Sequence, residues 1–281
     1  MPALDTLAAG TRLGTYQIIT QRGAGAMGAV YEAQHSILRK RVAIKLMHRS
    51  YSSDQGLVER FLREGRAAAA IQHPNVVQIY DVGFHDGLPY LVMELLDGQD
   101  LRQVLAQRGR LGAQETCDLL VPVVCAVAAA HQSGVVHRDL KPDNVFLDRE
   151  RDPGREGALV PKVVDFGISK LSDGGKQTAT RVVLGSPAYM APEQCEGQSG
   201  PSVDQWALGV MLFELSTGEL PFHAESDMAL MYKICHNPPR TDVALPPLLA
   251  PVVLRALAKE SGDRFPSLRA LGAALLPLCS A

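Results

Sequence analysis

The six residues Gly23-Ala24-Gly25-Ala26-Met27-Gly28 constrain the fold of this chain more than any other segment, because the runs on both sides of them alternate as strands. Tyr16-Gln-Ile-Ile enters the segment and Ala29-Val30-Tyr31 leaves it, each with the period of two that marks a half-buried strand. Three glycines so close together remove Cβ atoms from the connection, so its backbone amides can approach an anionic oxygen without obstruction. Alone, the segment also fits a plain glycine-bearing hairpin. It does not fit a dinucleotide-binding turn, which opens into a helix after its last glycine.

Further short runs rich in branched residues follow at Val42 to Leu46, Val76 to Tyr80 and Leu88 to Glu94, separated by polar turns such as His85-Asp-Gly. With the two strands around the glycines they predict a five-stranded antiparallel sheet. Between the third and fourth strands, Leu57, Phe61, Glu64, Ala68 and Ile71 recur at alternating steps of four and three. Asp54 to Gln72 is therefore expected to be helical, with Glu64 on the apolar stripe. After Asp97-Gly98 the periodicity is mostly helical, over 101–107, 113–133, 203–215, 226–235, 248–259 and 267–275. Pro122 lacks a backbone donor and predicts a kink or a late start in the second of these. The whole reads as α+β, a sheet lobe followed by a helical lobe. Residues 1–13 read as a tail, and the charged stretch Arg149 to Gly157 as an exposed turn between two strands.

At 281 residues the chain sits near the ~250–300 at which single cores stop growing, so one bilobal unit or two small domains is expected. Hydrophobic residues make up 46% and charged residues 21%, which is ordinary for a globular protein and argues against disorder. The net charge of −2 comes without a run of like charges, so nothing favours nucleic acid or an anionic membrane as partner. The cysteines, at 117, 125, 195, 235 and 279, lack the paired spacing of zinc sites or disulfide frameworks, and a reducing cytoplasm is the expected compartment. The longest uncharged apolar run, Leu119 to Ala130, falls short of the ~18 residues of a spanning helix, so no membrane segment is expected.

Lys45 ends the strand-like Val42-Ala43-Ile44, where a solvated lysine would be ordinary. Glu64, however, faces inward on the neighbouring helix, and a carboxylate there is costly unless paired; Lys45 is its natural partner. Glu59 has Arg63 four residues on and belongs to the solvated face. The segment His137-Arg138-Asp139-Leu140-Lys141-Pro142-Asp143-Asn144 packs a base, cations and an amide into a loop stiffened by proline. Asp139 can accept or orient a hydroxyl proton, Lys141 can neutralise charge on a phosphate in flight, and Asn144 can ligate magnesium. Asp165-Phe166-Gly167 follows a strand-like run and offers a second carboxylate.

These pieces, followed by Ala191-Pro192-Glu193, stand in the order of the protein-kinase signature set, and the chain resembles the bacterial eukaryotic-like serine/threonine protein kinases over roughly residues 14 to 276. The resemblance implies a protein-kinase-like two-lobed fold. Its small antiparallel-sheet lobe, with one main helix, spans residues 14–95; a larger helical lobe spans 96–276, and 277–281 form a tail. It implies ATP between the lobes, with Gly23 to Gly28, Val30 and Ala43 around it. Lys45 would hold the α- and β-phosphates and pair with Glu64. Met93 would be the gatekeeper, the backbone of Glu94 and Leu96 would face adenine, and Asp100 would lie near the ribose. Asp139 would be the catalytic base with Lys141 beside it, and Asn144 and Asp165 would bind Mg2+.

The same resemblance implies protein substrates, and Lys141 points to serine or threonine acceptors. Arg138 resembles that of kinases activated by phosphorylation, with Thr180 before Thr178 as the expected site. Ser186 stands where the family usually has threonine. Glu193 is expected to pair with Arg264, and Asp204 to brace the catalytic loop. A pseudokinase scaffold is the competing reading, disfavoured because every charged catalytic position is filled. Gly65, directly after Glu64, costs about 1 kcal/mol of helix propensity; a loosely held helix, seated against Lys45 by a second copy or a partner docking on the sheet lobe, is expected from it.

Overall fold

The computed structural model describes residues 7–25, 28–52, 54–149, 158–166 and 187–280. The chain divides into two compact units, the first made of residues 1–72 and 77–97, the second of 73–76 and 98–281.

In the first unit, β1 (Arg12–Leu13), β2 (Tyr16–Gly25), β3 (Gly28–His35), β4 (Arg41–Met47), β5 (Ile79–His85) and β6 (Leu88–Met93) form one sheet in the order β1-β2-β3-β4-β6-β5. Every neighbouring pair is antiparallel. Alternation sorts the side chains by face. Ala29, Tyr31 and Ala33, Val42, Ile44 and Leu46, and Leu88, Tyr90 and Val92 pack together as a core on one side. The other side carries Val30, Ala43, Lys45, Leu91 and Met93, which the register sets across from one another.

The helix α1 (Gln55–Ala69) packs against β5 and β6, over Leu91 on that second face. Asp54 caps it, its Oδ1 accepting from Leu57 N at 3.2 Å. Of the stripe expected from the sequence, Phe61, Ala68 and Ile71 are buried and Leu57 and Glu64 half-buried, and Gly65 is buried beside them. Gly65 corrects one expectation. A Cβ there would stand 2.5 Å from Leu91 Cδ2 on β6, and Leu91 is itself buried. The glycine lets helix and sheet approach closely; it marks tight packing rather than a loose helix.

Two boundaries also move. The expected strand over Val76 to Tyr80 begins later, because Val76 forms a parallel bridge with Val163, and Asn75 accepts from Val163 N at 2.8 Å and donates through Nδ2 to Pro161 O at 2.8 Å. The stretch read as an amino-terminal tail contributes β1, whose Leu13 is fully buried. The far end is tied down as well, with Ser280 N donating to Asp118 Oδ1 at 2.8 Å.

The second unit opens with β7 (Gly98–Asp100), which joins β8 (Val145–Arg149) and β9 (Leu159–Val163) in an antiparallel sheet of order β7-β8-β9. Its helices are α2 (Leu101–Arg108), α3 (Ala113–Gln132), α4 (Pro192–Cys195), α5 (Ser202–Thr217), α6 (Asp227–His236), α7 (Ala250–Ala256) and α8 (Leu268–Leu275). The central one is α5, buried continuously from Val203 to Ser216, as expected of a helix that is apolar all round. Gly218 ends it in the left-handed region, its N–H donating to Glu214 O at 2.7 Å. The other long helix, α3, runs through Pro122 without the late start expected there. By length and composition α3 could cross a membrane, but α5 and α8 pack against it and its Leu120, Val123, Val124 and Val127 are core residues.

Candidate active site

In the first unit the sheet carries several of the expected site residues. Lys45 lies mid-strand on β4, between Val30 of β3 and Leu91 of β6. Two residues on, Ala43 faces Met93, so Val30, Ala43, Lys45 and Met93 share one face. Leu91 of that face touches Gly65, the residue after Glu64, so α1 lies over the side of the sheet that carries Lys45.

The glycines divide by cause. At Gly28 an added Cβ would fall inside the contact radius of the Leu46 carbonyl oxygen on β4, so strand pairing alone demands glycine there. At Gly23 no atom lies within 4 Å of the Cβ position, and at Gly25 only the Gly28 oxygen, at 4.0 Å. Neither has a positive φ. Packing among the described residues therefore gives no reason for glycine at these two positions. Ala24, between them, is exposed. Ala26 and Met27 lie outside the described residues.

At the end of β6, Glu94 N donates to Gln78 O at 2.8 Å and Glu94 Oε2 accepts from Gln78 N at 3.3 Å. Leu96, two residues on, is half-buried. Asp100 has a structural use of its own: it caps α2, its Oδ1 accepting from Gln103 N at 2.8 Å.

The second unit holds the segment His137 to Asn144. Asp204, in the first turn of α5 and fully buried, accepts from His137 N at 2.8 Å and Arg138 N at 2.7 Å, and lies 2.8 Å from His131 Nε2. That brace holds Arg138 at a φ of +67°, a conformation non-glycine residues seldom adopt. Buried His137 is fixed further by the Val164 carbonyl, 3.0 Å from its Nε2, and by the Phe166 ring, 4.8 Å away between centroids.

On this scaffold Lys141 Nζ donates to Asp139 Oδ2 at 2.9 Å. Asn144 Nδ2 donates to Asp139 O at 2.7 Å and lies 3.4 Å from Oδ2, which leaves Asn144 Oδ1 to serve as an acceptor for a cation. Asn144 O in turn accepts from Val164 N at 3.0 Å, tying the loop to the residue before Asp165, which also has a positive φ, +60°. No cluster of three metal-binding side chains exists among the described residues. A hard cation held by one carboxylate, one amide and the oxygens of a bound phosphate suits this donor set. Gly167 lies outside the described residues.

The expected supports are present. Glu193, at the start of α4, receives both Arg264 Nη1 at 2.7 Å and Nη2 at 2.8 Å, plus Ser202 Oγ at 2.8 Å. Burial pushes its carboxyl up, but the Arg264 guanidinium outweighs that and holds it below the usual range. Gln194 Nε2 donates to Arg138 O at 3.1 Å, joining this helix to the catalytic segment.

One network escaped the sequence reading. Tyr189 donates to Glu214 Oε2, Arg102 Nη1 donates to Glu214 Oε1 at 2.7 Å, and Arg102 Nη2 donates to the Tyr189 hydroxyl. Arg102 Nε also lies 3.4 Å from Asp143 Oδ2 in the catalytic segment. Burial, reinforced by the Glu214 charge, pushes the Tyr189 phenol far above its usual value. The signal was present: Glu214 is a carboxylate inside an otherwise apolar helix, the same reason Glu64 stood out.

A protein kinase domain model matches residues 16–250. Serine/threonine-protein kinase Pkn1 of Myxococcus xanthus is 41% identical over 272 residues, covering 95% of this chain and 38% of that protein. PrkC of Bacillus subtilis is 38% identical over 257 residues, covering 90% of this chain and 38% of that protein. The chain thus spans 38% of the length of these curated relatives. Among solved structures, the PknI kinase domain of Mycobacterium tuberculosis matches with a TM-score of 0.76 at 30% identity, covering 97% of this chain and 99% of that one.

Proposed function

The chain belongs to the protein kinase domain family, and from that premise we propose that it transfers the γ-phosphoryl group of ATP to serine and threonine hydroxyls of proteins. One observation carries the reading: Lys141 and Asn144 both converge on the Asp139 carboxylate from a loop whose backbone Asp204 clamps. A base so placed orients the acceptor hydroxyl and takes its proton, while Lys141 opposes the charge that develops on the phosphoryl oxygens. Asn144 and Asp165 are the residues that would hold magnesium, which when bound neutralises the phosphates. In the first unit, Lys45 would bind the α- and β-phosphates with Glu64 as its ion-pair partner. The amides of Gly23 to Gly25 would lie over the phosphates, and Val30, Ala43, Met93, Glu94 and Leu96 would receive the adenine, with Asp100 toward the ribose.

Regulation by phosphorylation belongs to the same proposal. Arg138 beside the base would capture a phosphothreonine at 180 or 178, both outside the described residues, after self-association through the sheet unit. A cytoplasmic setting fits the five cysteines, none of which forms a disulfide. The test is incubation of the purified chain with ATP and magnesium, beside Asp139→Asn, with phosphosites mapped by mass spectrometry. Phosphothreonine or phosphoserine in the wild type and none in the variant is the expected result. An unmodified wild type that also fails to label a generic protein acceptor would overturn the proposal.

A further inference from the structure

Glu32 is a charged residue on β3 whose side chain is only 1% exposed, and the phosphoryl-transfer mechanism makes no use of it. Two arginines hold it. Arg22 Nε donates to Glu32 Oε2 at 2.8 Å and Arg22 Nη2 to the same oxygen, while Arg41 Nη2 donates to Oε1. The arginines are themselves more than half exposed, at 56% and 57%, so they pass from solvent over the sheet to reach one buried carboxylate. Burial alone would raise the Glu32 carboxyl, yet Arg41 and Arg22 hold it below its ordinary value. It is therefore charged at neutral pH.

Location separates the two arginines. The β2–β3 register steps from Gln21 opposite Tyr31 to Gly23 opposite Val30, which makes Arg22 the extra residue of a β-bulge. A bulge interrupts the ladder and re-aims the side chain it carries. This one sits directly before Gly23, the first residue of the glycine segment. Arg41, by contrast, begins β4 and pairs with Gln34, remote from the glycines in the register. Buried ion pairs are poor stabilisers in themselves, because desolvation consumes most of the attraction. Stability therefore gives little reason to bury a carboxylate here, whereas pinning a bulge beside a phosphate-binding turn gives a direct one.

We propose that Glu32 is a positioning residue that clamps Arg22, and with it the bulge that sets the height and direction of the Gly23–Gly25 backbone over the nucleotide. The inference rests on the kinase reading above and deepens it. Without the carboxylate, two guanidiniums face one another across the strands and drive the bulge outward. The glycine amides then meet the phosphates less well, in ground state and transition state alike, so affinity falls while turnover does not.

The test compares Arg22→Gln with Arg41→Gln, each of which removes one arm from the same carboxylate, and adds Glu32→Gln. Dissociation constants for a fluorescent ATP analogue, KM for ATP, kcat and Tm are measured for each. Arg22→Gln is expected to raise KM and Kd about tenfold, with kcat within about twofold. Arg41→Gln should give a clearly smaller rise at a similar loss of Tm, and Glu32→Gln should match or exceed Arg22→Gln. Equal KM for the two arginine variants, or a fall in Tm with KM unchanged throughout, would overturn the clamp and leave the kinase reading standing. Wild-type protein that neither binds the analogue nor transfers phosphate would overturn that reading and the clamp together.

Discussion

At the scale of single residues, this chain shows how a buried carboxylate announces a task. Glu64, Glu193, Asp204 and Glu214 each stand where an unpaired charge would be costly. The last three are met by Arg264, by the backbone of the catalytic segment, and by Arg102 with Tyr189. For Glu193 the consequence is measurable. Its folded pKa lies below the ordinary 4.5 because the Arg264 hydrogen bonds outweigh burial. The pair's contribution is therefore complete above about pH 4.5 and disappears as pH falls through the lower folded value. Glu193→Gln leaves the fully buried Arg264 guanidinium without its counter-charge and should cost on the order of 3 kcal/mol at pH 7. Urea midpoints from pH 7 down to about 3 should then fall less steeply for the variant than for the wild type, and parallel curves would count against this account.

At the scale of elements, packing rather than propensity decided what the sequence concealed. Helix α1 was legible from the step of its apolar residues, and the catalytic segment from its density of polar groups. Gly65 was not, because helix propensity reads it as a weakness while the Leu91 side chain requires it. Gly65→Ala gains roughly 1 kcal/mol of propensity but forces overpacking that typically costs ~1–3 kcal/mol. A lower Tm with phosphoryl transfer no higher than wild type is expected, and an active, more stable variant would restore the loose-helix reading. Strand β5 was misplaced because Val76 bridges to Val163, a residue far along the chain, with Asn75 O accepting from Val163 N and Val76 N donating to His73 O. The Arg22 bulge was invisible for a related reason: a pattern of period two cannot register the one residue that breaks it.

At the scale of the whole molecule, the residues assigned to the reaction come from both compact units, Lys45 and Glu64 from one, Asp139, Lys141, Asn144 and Asp165 from the other. Their order along the chain revealed the family before any geometry did. Local structure then supplied what order cannot: the Asp204 brace, the strained Arg138 backbone and the direction of the Asn144 amide. The central claim is that these residues serve a single phosphoryl transfer, and residues that act as one unit are strongly non-additive. The decisive measurement is kcat for transfer from ATP to a serine/threonine protein acceptor by wild type, Lys45→Met, Asp139→Asn and the double variant. Each single change is expected to lower kcat by about 10² or more, with the double variant close to the worse single. Full activity in Asp139→Asn, or losses that multiply as for independent sites, would contradict the account.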